Sequence, residues 1–559
     1  MKIIHHLTFT ILCLVVAKQA LAIDQFDRIA ADESYWQALV AVKNDLRPSR
    51  ELLKQPTVGY KDLRPTLPFS YRSAQGHFLI HYTLEGNDAV DATITNADGV
   101  PDFVYETARA AERAYSLLID TLDFQPPPID DESTPEIDFY IINLGGAAYA
   151  YTYNENPVQS TPDRPYDYTA YTVIDNDFAG YPTIGLNGLR VTVAHEFFHV
   201  VQLGYNWWEN NGLTNSGGGR TSADDYFLEW CSTWFEERAY PEVNDYLFYV
   251  GAFFNSPLKS LWNYDYAYAL GAFLRFMLDR YGENLLVKVW EEIKTNYAFE
   301  SLQAVLADDY NADLADLWNE FYLRCYFTGE RYDPDWALSS DAMQFPLLQI
   351  PATNKVVFTE SAVFTPSIEP FACVPYQVVF DQNWLCGINV NSSTPENFLG
   401  RYLFIKNQTG KIAETLSLNQ NLLVGNAANN DSLLIFMTNS SKATTPNLTV
   451  TISEVSDEFR IASTIKNVYP NPYSPGKSEN LIVDLQVGQI VNSIKTNWFD
   501  LTGRNVFQKN FDNGLIKIGN YSLSFSSDEL RQAQLASGVY IMQIAIGSKN
   551  LTRKILLLK

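Results

Sequence analysis

Val191-Thr192-Val193-Ala194-His195-Glu196-Phe197-Phe198-His199-Val200-Val201-Gln202 is the stretch on which the reading of this chain turns. Apolar residues recur with a helical period from Leu186 to Tyr205, and Gly204 offers a natural stop. Residues four apart lie on one face of a helix, so His195 and His199 can each aim a ring nitrogen at one ion. Glu196 is rotated about 100° from His195, which places it beside such an ion rather than on it. The flanking residues are strongly apolar, so this helix is expected to be buried. Three ionisable side chains in a buried helix make sense when a metal neutralises them.

The spacing is that of H-E-x-x-H metallopeptidases. Zinc lowers the pKa of a bound water towards neutrality, and a neighbouring carboxylate, here Glu196, takes the proton. A catalytic zinc takes three protein ligands and keeps one position open. The third is expected from a second helix, capped by Ser222, with Asp224 and Asp225 in its first turn and its end before Pro241. Glu229 leads, because Phe227, Leu228, Trp230, Trp234 and Phe235 surround it and a carboxylate in that setting needs a partner. Glu236, almost on the same face, and the adjacent Glu237 stay open. Hydrolysis also needs a donor to the oxyanion, and with no spare histidine a tyrosine is expected. Tyr268 is the candidate, with Tyr266 and Tyr264 in the same stretch and aromatic packing as the competing role.

His77 and His81 are also four apart, but in an alternating strand, on one of its faces. They could form a second metal site, line the cleft, or simply pack. Asn96-Ala97-Asp98-Gly99-Val100-Pro101-Asp102 sets oxygen ligands around a glycine turn, which makes calcium a second candidate cofactor. A turn leading into the next helix explains the same residues. Asp175 and Asp177 give a fainter signal of the same kind.

Outward from the histidine helix, Gly76–Tyr82, Glu136–Leu144 and Tyr171–Asp175 read as strands. Pro101–Asp123, Tyr266–Tyr281, Glu283–Thr295 and Ala312–Phe327 read as helices. Helical periodicity is lost across 345–455, where short alternating runs point to a β-sandwich-like domain. A third, β-patterned unit begins near Ile461. The expected class is α+β. It comprises a mainly helical catalytic domain with a small β-sheet at 67–340, a β-sandwich-like domain at 341–457, and an Ig-like β-sandwich at 461–559. Lys2, the apolar run Leu7–Ala17 and Ala20-Leu21-Ala22 read as a signal peptide over 1–22, cleaved after Ala22. Residues 23–66 read as a helical, then irregular, segment. An exported chain lets cysteines pair. Cys373 with Cys386 and Cys231 with Cys325 are the expected disulfides, with other pairings and unpaired thiols left open.

The chain resembles the gluzincin-type secreted metalloproteases first described from myxobacteria. The resemblance rests on His195-Glu196-Phe197-Phe198-His199 followed by Val200-Val201-Gln202, on Phe227-Leu228-Glu229-Trp230-Cys231-Ser232-Thr233-Trp234-Phe235-Glu236-Glu237, and on Tyr268-Ala269-Leu270-Gly271-Ala272-Phe273-Leu274 with Arg280-Tyr281-Gly282. It covers roughly Gly76 to Gly329. It implies a zincin-like fold and Glu229 as the third ligand, although Trp230 stands where that family has glycine. A second resemblance covers the last hundred residues. Val468-Tyr469-Pro470-Asn471-Pro472-Tyr473, Phe499-Asp500-Leu501-Thr502-Gly503-Arg504, Leu535-Ala536-Ser537-Gly538-Val539-Tyr540 and the basic end Arg553–Lys559 look like a type A sorting domain. That implies export through the type nine (Por) secretion system of Bacteroidetes.

The net charge of -25 argues against nucleic acid or an anionic membrane as partner, since phosphate binding needs a basic surface. No stretch after the signal is long and apolar enough to span a bilayer. The expected function is a secreted zinc endopeptidase acting on protein or peptide, reaching the exterior through the periplasm. A glycan- or protein-binding surface module with a degenerate metal site would suit the 14% aromatic content. A zinc hydrolase of a non-peptide substrate would share the motif.

Overall fold

The computed structural model describes residues 64–558, apart from 130–133, 147, 159–162, 165–166, 207–223, 407–409, 443–447, 455–462, 476–479, 489–490, 492, 512–515, 517–518 and 548. The signal peptide, most of the 23–66 segment and the Ser222 cap lie outside the described residues. The rest divides into two compact units with the break at Gln349–Ile350, Phe371–Cys373 counting with the first.

The first unit is built on a five-stranded mixed sheet. Its strands are β1 (Phe69–Arg72), β2 (Phe78–Tyr82), β3 (Ile137–Ile142), β4 (Ala150–Pro157) and β5 (Tyr168–Asp175), in the order β1-β2-β3-β5-β4. β2, β3 and β5 run parallel, while β1 and β4 pair antiparallel at the edges. β1 and β4 were not expected from sequence. Helix α1 (Asp102–Tyr115) continues into a π-type turn at Ser116–Thr121, close to the predicted Pro101–Asp123.

Helix α2 (Gly185–Leu203) carries the motif and packs against α1, β4, β5 and α3 (Asp225–Ala239). It is buried nearly all round, which its sequence required. Phe197 faces the sheet side, 5.1 Å from Phe78 between ring centroids. Phe198 faces the opposite way, 5.5 Å from Phe235 of α3. Among the described residues, four longer helices follow: α4 (Gly271–Tyr281), α5 (Asn284–Ile293), α6 (Ala298–Tyr310) and α7 (Leu314–Cys325). α6 is the one that periodicity did not anticipate. Gly271 lets α4 approach α3 closely, since a Cβ there would stand 3.2 Å from the Thr233 side chain.

The second unit is β-rich, as expected. Described strands between Lys355 and Glu454 form a five-stranded and a four-stranded sheet. Those between Thr464 and Leu557 form a three-stranded and a four-stranded sheet. Residues of both of these sheets share one core around Trp498, including Val483, Phe525, Met542 and Ile555. The α+β class therefore holds.

The expected disulfides are not present. Cys231, Cys325, Cys373 and Cys386 are all buried free thiols. Cys373 opens the strand Cys373–Phe380, whereas Cys386 lies in Trp384–Ser392 of the other sheet, donating to the Gly425 carbonyl at 3.6 Å. Closeness in sequence therefore did not bring the two sulfurs together. Cys231 sits in α3 against Trp290 rather than against Cys325. Burial pushes the thiols of Cys231 and Cys325 up, away from the reactive thiolate.

Candidate metal centre

Two helices build the centre. α2 presents His195, Glu196 and His199, and α3 presents Glu229 and Glu236. His195 Nε2 lies 3.1 Å from Glu229 Oε2 and 3.0 Å from His199 Nε2. His199 Nε2 is 3.7 Å from the same Glu229 oxygen. A tetrahedral zinc with bonds of about 2.0–2.1 Å wants ligand atoms about 3.3 Å apart, so these separations fit the ion without rearrangement. Among the described residues this is the one group of three His, Cys, Asp or Glu side chains placed to hold a metal.

Glu236 stands on the other side of His195, its Oε1 2.6 Å from His195 Nδ1. Glu229 and Glu236, left open in the sequence, thus take different places. Glu229 joins the ligand atoms, and Glu236 orients a ring from behind. Burial alone would lower the His195 pKa, but hydrogen bonds to Glu229 and Glu236 outweigh it and push it up to about 10. Burial would raise Glu229, but the charge of His199 and bonding to both histidines hold it well below the usual carboxylate range. Buried carboxylates thus face His195 on both of its ring nitrogens. Glu237 sits instead near Arg275 and Asp341, where burial pushes it up to about 7.

The fully buried ring of Trp230 packs against Tyr226, Phe227 and Phe273.

Glu196 is buried and meets the edge strand β4. Thr152 Oγ1 donates to Glu196 Oε2 at 2.7 Å. Thr172, the cross-strand partner of Thr152 in β5, lies 3.0 Å from it, hydroxyl to hydroxyl. Tyr151 is also near: burial raises its hydroxyl pKa, and the Glu196 charge raises it further. These residues escaped the sequence reading because β4, Ala150-Tyr151-Thr152-Tyr153-Asn154-Glu155-Asn156-Pro157, lacks an apolar alternation. Its Thr and Tyr content was the available signal.

Tyr268 comes to the site, its ring stacked on His195 with centroids 6.0 Å apart and Tyr249 5.3 Å beyond it. Tyr266 is fully buried and holds a turn: its hydroxyl donates to the Ser256 carbonyl and accepts from the Lys259 amide at 3.0 Å.

His77 and His81 do not converge. His77 Nδ1 is 2.7 Å from Glu112, and the ring stacks on Tyr115 at 3.8 Å. His81 Nε2 is 2.6 Å from Asp138, and the ring stacks on Tyr140 at 4.4 Å. The oxygens at 96–102 close their own loop. Asp102 Oδ1 accepts from the Thr95 amide at 2.9 Å and from Asn96 Nδ2 at 2.7 Å. Asp175 likewise accepts the Leu144 and Phe178 amides, each at 2.9 Å.

Residues 55–305 match a family of unknown function (DUF6055). No curated protein matches the chain. Among solved structures, the chain resembles PorZ, an essential bacterial surface component of the type-IX secretion system of Porphyromonas gingivalis. Identity is 16% over 22% of this chain and 14% of that one, with a TM-score of 0.14. The extracellular region of zebrafish Gpr126/Adgrg6 matches at 10% identity over 36% of this chain and 31% of that one, with a TM-score of 0.14. A β-glucuronidase from Ruminococcus gnavus matches at 9% over 33% and 36%, with a TM-score of 0.11. The chain thus spans well under half of each, and at such TM-scores these likenesses bear on neither fold nor activity. No helix among the described residues is long and apolar enough to cross a membrane. Residues 467–558 match the secretion system C-terminal sorting domain of the Por type, so the chain carries a tail handled by the type nine secretion machinery and is a secreted or cell-surface protein.

Proposed function

We propose that this protein is a zinc-dependent endopeptidase of zincin-like fold, with His195, His199 and Glu229 as ligands and Glu196 as general base. The observation that carries the reading is the convergence of three ligand atoms, 3.0 to 3.7 Å apart, one residue along the helix from a buried carboxylate. When bound there, zinc polarises the scissile carbonyl and makes water acidic enough to be deprotonated near neutral pH. Glu196 takes that proton and passes it to the leaving amine. Thr152 holds one carboxylate oxygen, so that Glu196 keeps its orientation while protonated or not. Tyr268, beside His195, is the candidate donor to the oxyanion.

A peptide substrate is favoured over others by the position of β4. It is an edge strand of the sheet and touches Glu196 through Thr152. An extended peptide pairing with an edge strand would lie beside the reacting groups. The test is digestion of an unbiased peptide library by the purified zinc-loaded protein. Cleavage that stops with Glu196→Gln is expected. A zinc-replete wild type that cuts no peptide or protein would falsify the assignment.

A further inference from the structure

Gln202, one turn beyond His199, is an amide with 1% exposure in the apolar seam between α2 and α3. Burying an amide there is costly unless both ends are bonded. Both are. Its Nε2 donates to the Leu228 carbonyl at 3.1 Å and approaches Ser232 Oγ at 3.3 Å. Its Oε1 lies 2.7 Å from His199 Nδ1.

The order of these contacts carries information. The Leu228 carbonyl can only accept, so the amide must turn its NH₂ end towards α3. That leaves the amide oxygen facing His199, and an amide oxygen can only accept. Nδ1 therefore bears a hydrogen, which leaves Nε2, the atom that faces His195 and Glu229, as the nitrogen for a metal. Leu228 is the residue before Glu229. One side chain thus sets the tautomer of one ligand and clasps it to the backbone that carries another.

We infer that Gln202 is a positioning residue of the metal centre, fixing His199 in its metal-binding tautomer and tying α2 to α3 at the step that presents Glu229. This rests on the metal centre proposed above, but not on the substrate. Neither a Gln at this place nor its link to α3 was signalled by the histidine spacing.

The test is zinc affinity of the full chain, read by chelator competition, with the melting temperature of the metal-free protein as the check on folding. Gln202→Met keeps the length and suits the apolar seam but removes both bonds. It should bind zinc about 10–100-fold more weakly, the usual cost of losing an outer partner. Gln202→Glu restores the acceptor for His199 Nδ1 but not the donor to the Leu228 carbonyl, so it should lose less affinity than Gln202→Met. Wild-type affinity in Gln202→Met overturns the proposal. So does equal loss in both variants, which marks a merely structural role. If Gln202→Met does not fold, Gln202→Leu takes its place, and equal loss in Gln202→Leu and Gln202→Glu overturns the proposal while a smaller loss in Gln202→Glu supports it. A wild type that binds no zinc overturns the centre itself, and this role with it. Since no substrate is used, failure of the peptidase reading is a separate result.

Discussion

Two histidine pairs in this protein have the same spacing and opposite fates. His77 and His81 flank and enter β2, whereas His195 and His199 ride on α2. Four steps along a strand cover about 13 Å, but four steps along a helix cover about 6 Å. An ion with bonds of about 2 Å can bridge only the second. Each strand histidine accordingly takes a carboxylate of its own, Glu112 for one and Asp138 for the other. The helical pair shares one, Glu229. The backbone type, more than the spacing, turns a repeated histidine into a candidate ligand set.

Ways to break that contrast run from large effects to small. Glu196→Gln should lower peptide hydrolysis by about 10²–10⁴-fold while zinc content, measured on the same preparation, stays at the wild-type level. Glu229→Ala should weaken zinc binding by more than the roughly 100-fold ceiling of an outer partner, read by chelator competition. Retained affinity there would move the third ligand elsewhere. Thr152→Val removes one hydrogen bond to a charged group. It should cut hydrolysis about tenfold with zinc affinity unchanged, and Thr152→Ser should restore it. The double change His77→Ala with His81→Ala should leave zinc binding and hydrolysis alone and lower the melting temperature by only about 2–4 °C.

Much of this was legible in the chain. The motif helix could be read because Val191, Val193, Val200 and Val201 surround its ionisable residues with apolar ones, and it forms at Gly185–Leu203. Glu229 could be nominated because aromatic neighbours isolate it. The different places of Glu229 and Glu236 were not legible: seven residues are almost two full turns, so both point towards α2, and they meet opposite ring nitrogens of His195. Thr152 was hidden because an edge strand of tyrosines, threonine and asparagines carries no period-two apolar pattern. The cysteine pairing failed for a related reason. Neighbouring strands in a chain often enter different sheets, and Cys373 and Cys386 did so.

Equilibrium dialysis against zinc, followed by metal analysis, tests the central claim most directly. One zinc per chain is predicted for the wild type and for the His77→Ala, His81→Ala double variant, and none for His199→Ala. A wild type without zinc, or a full complement retained by His199→Ala, would contradict the account.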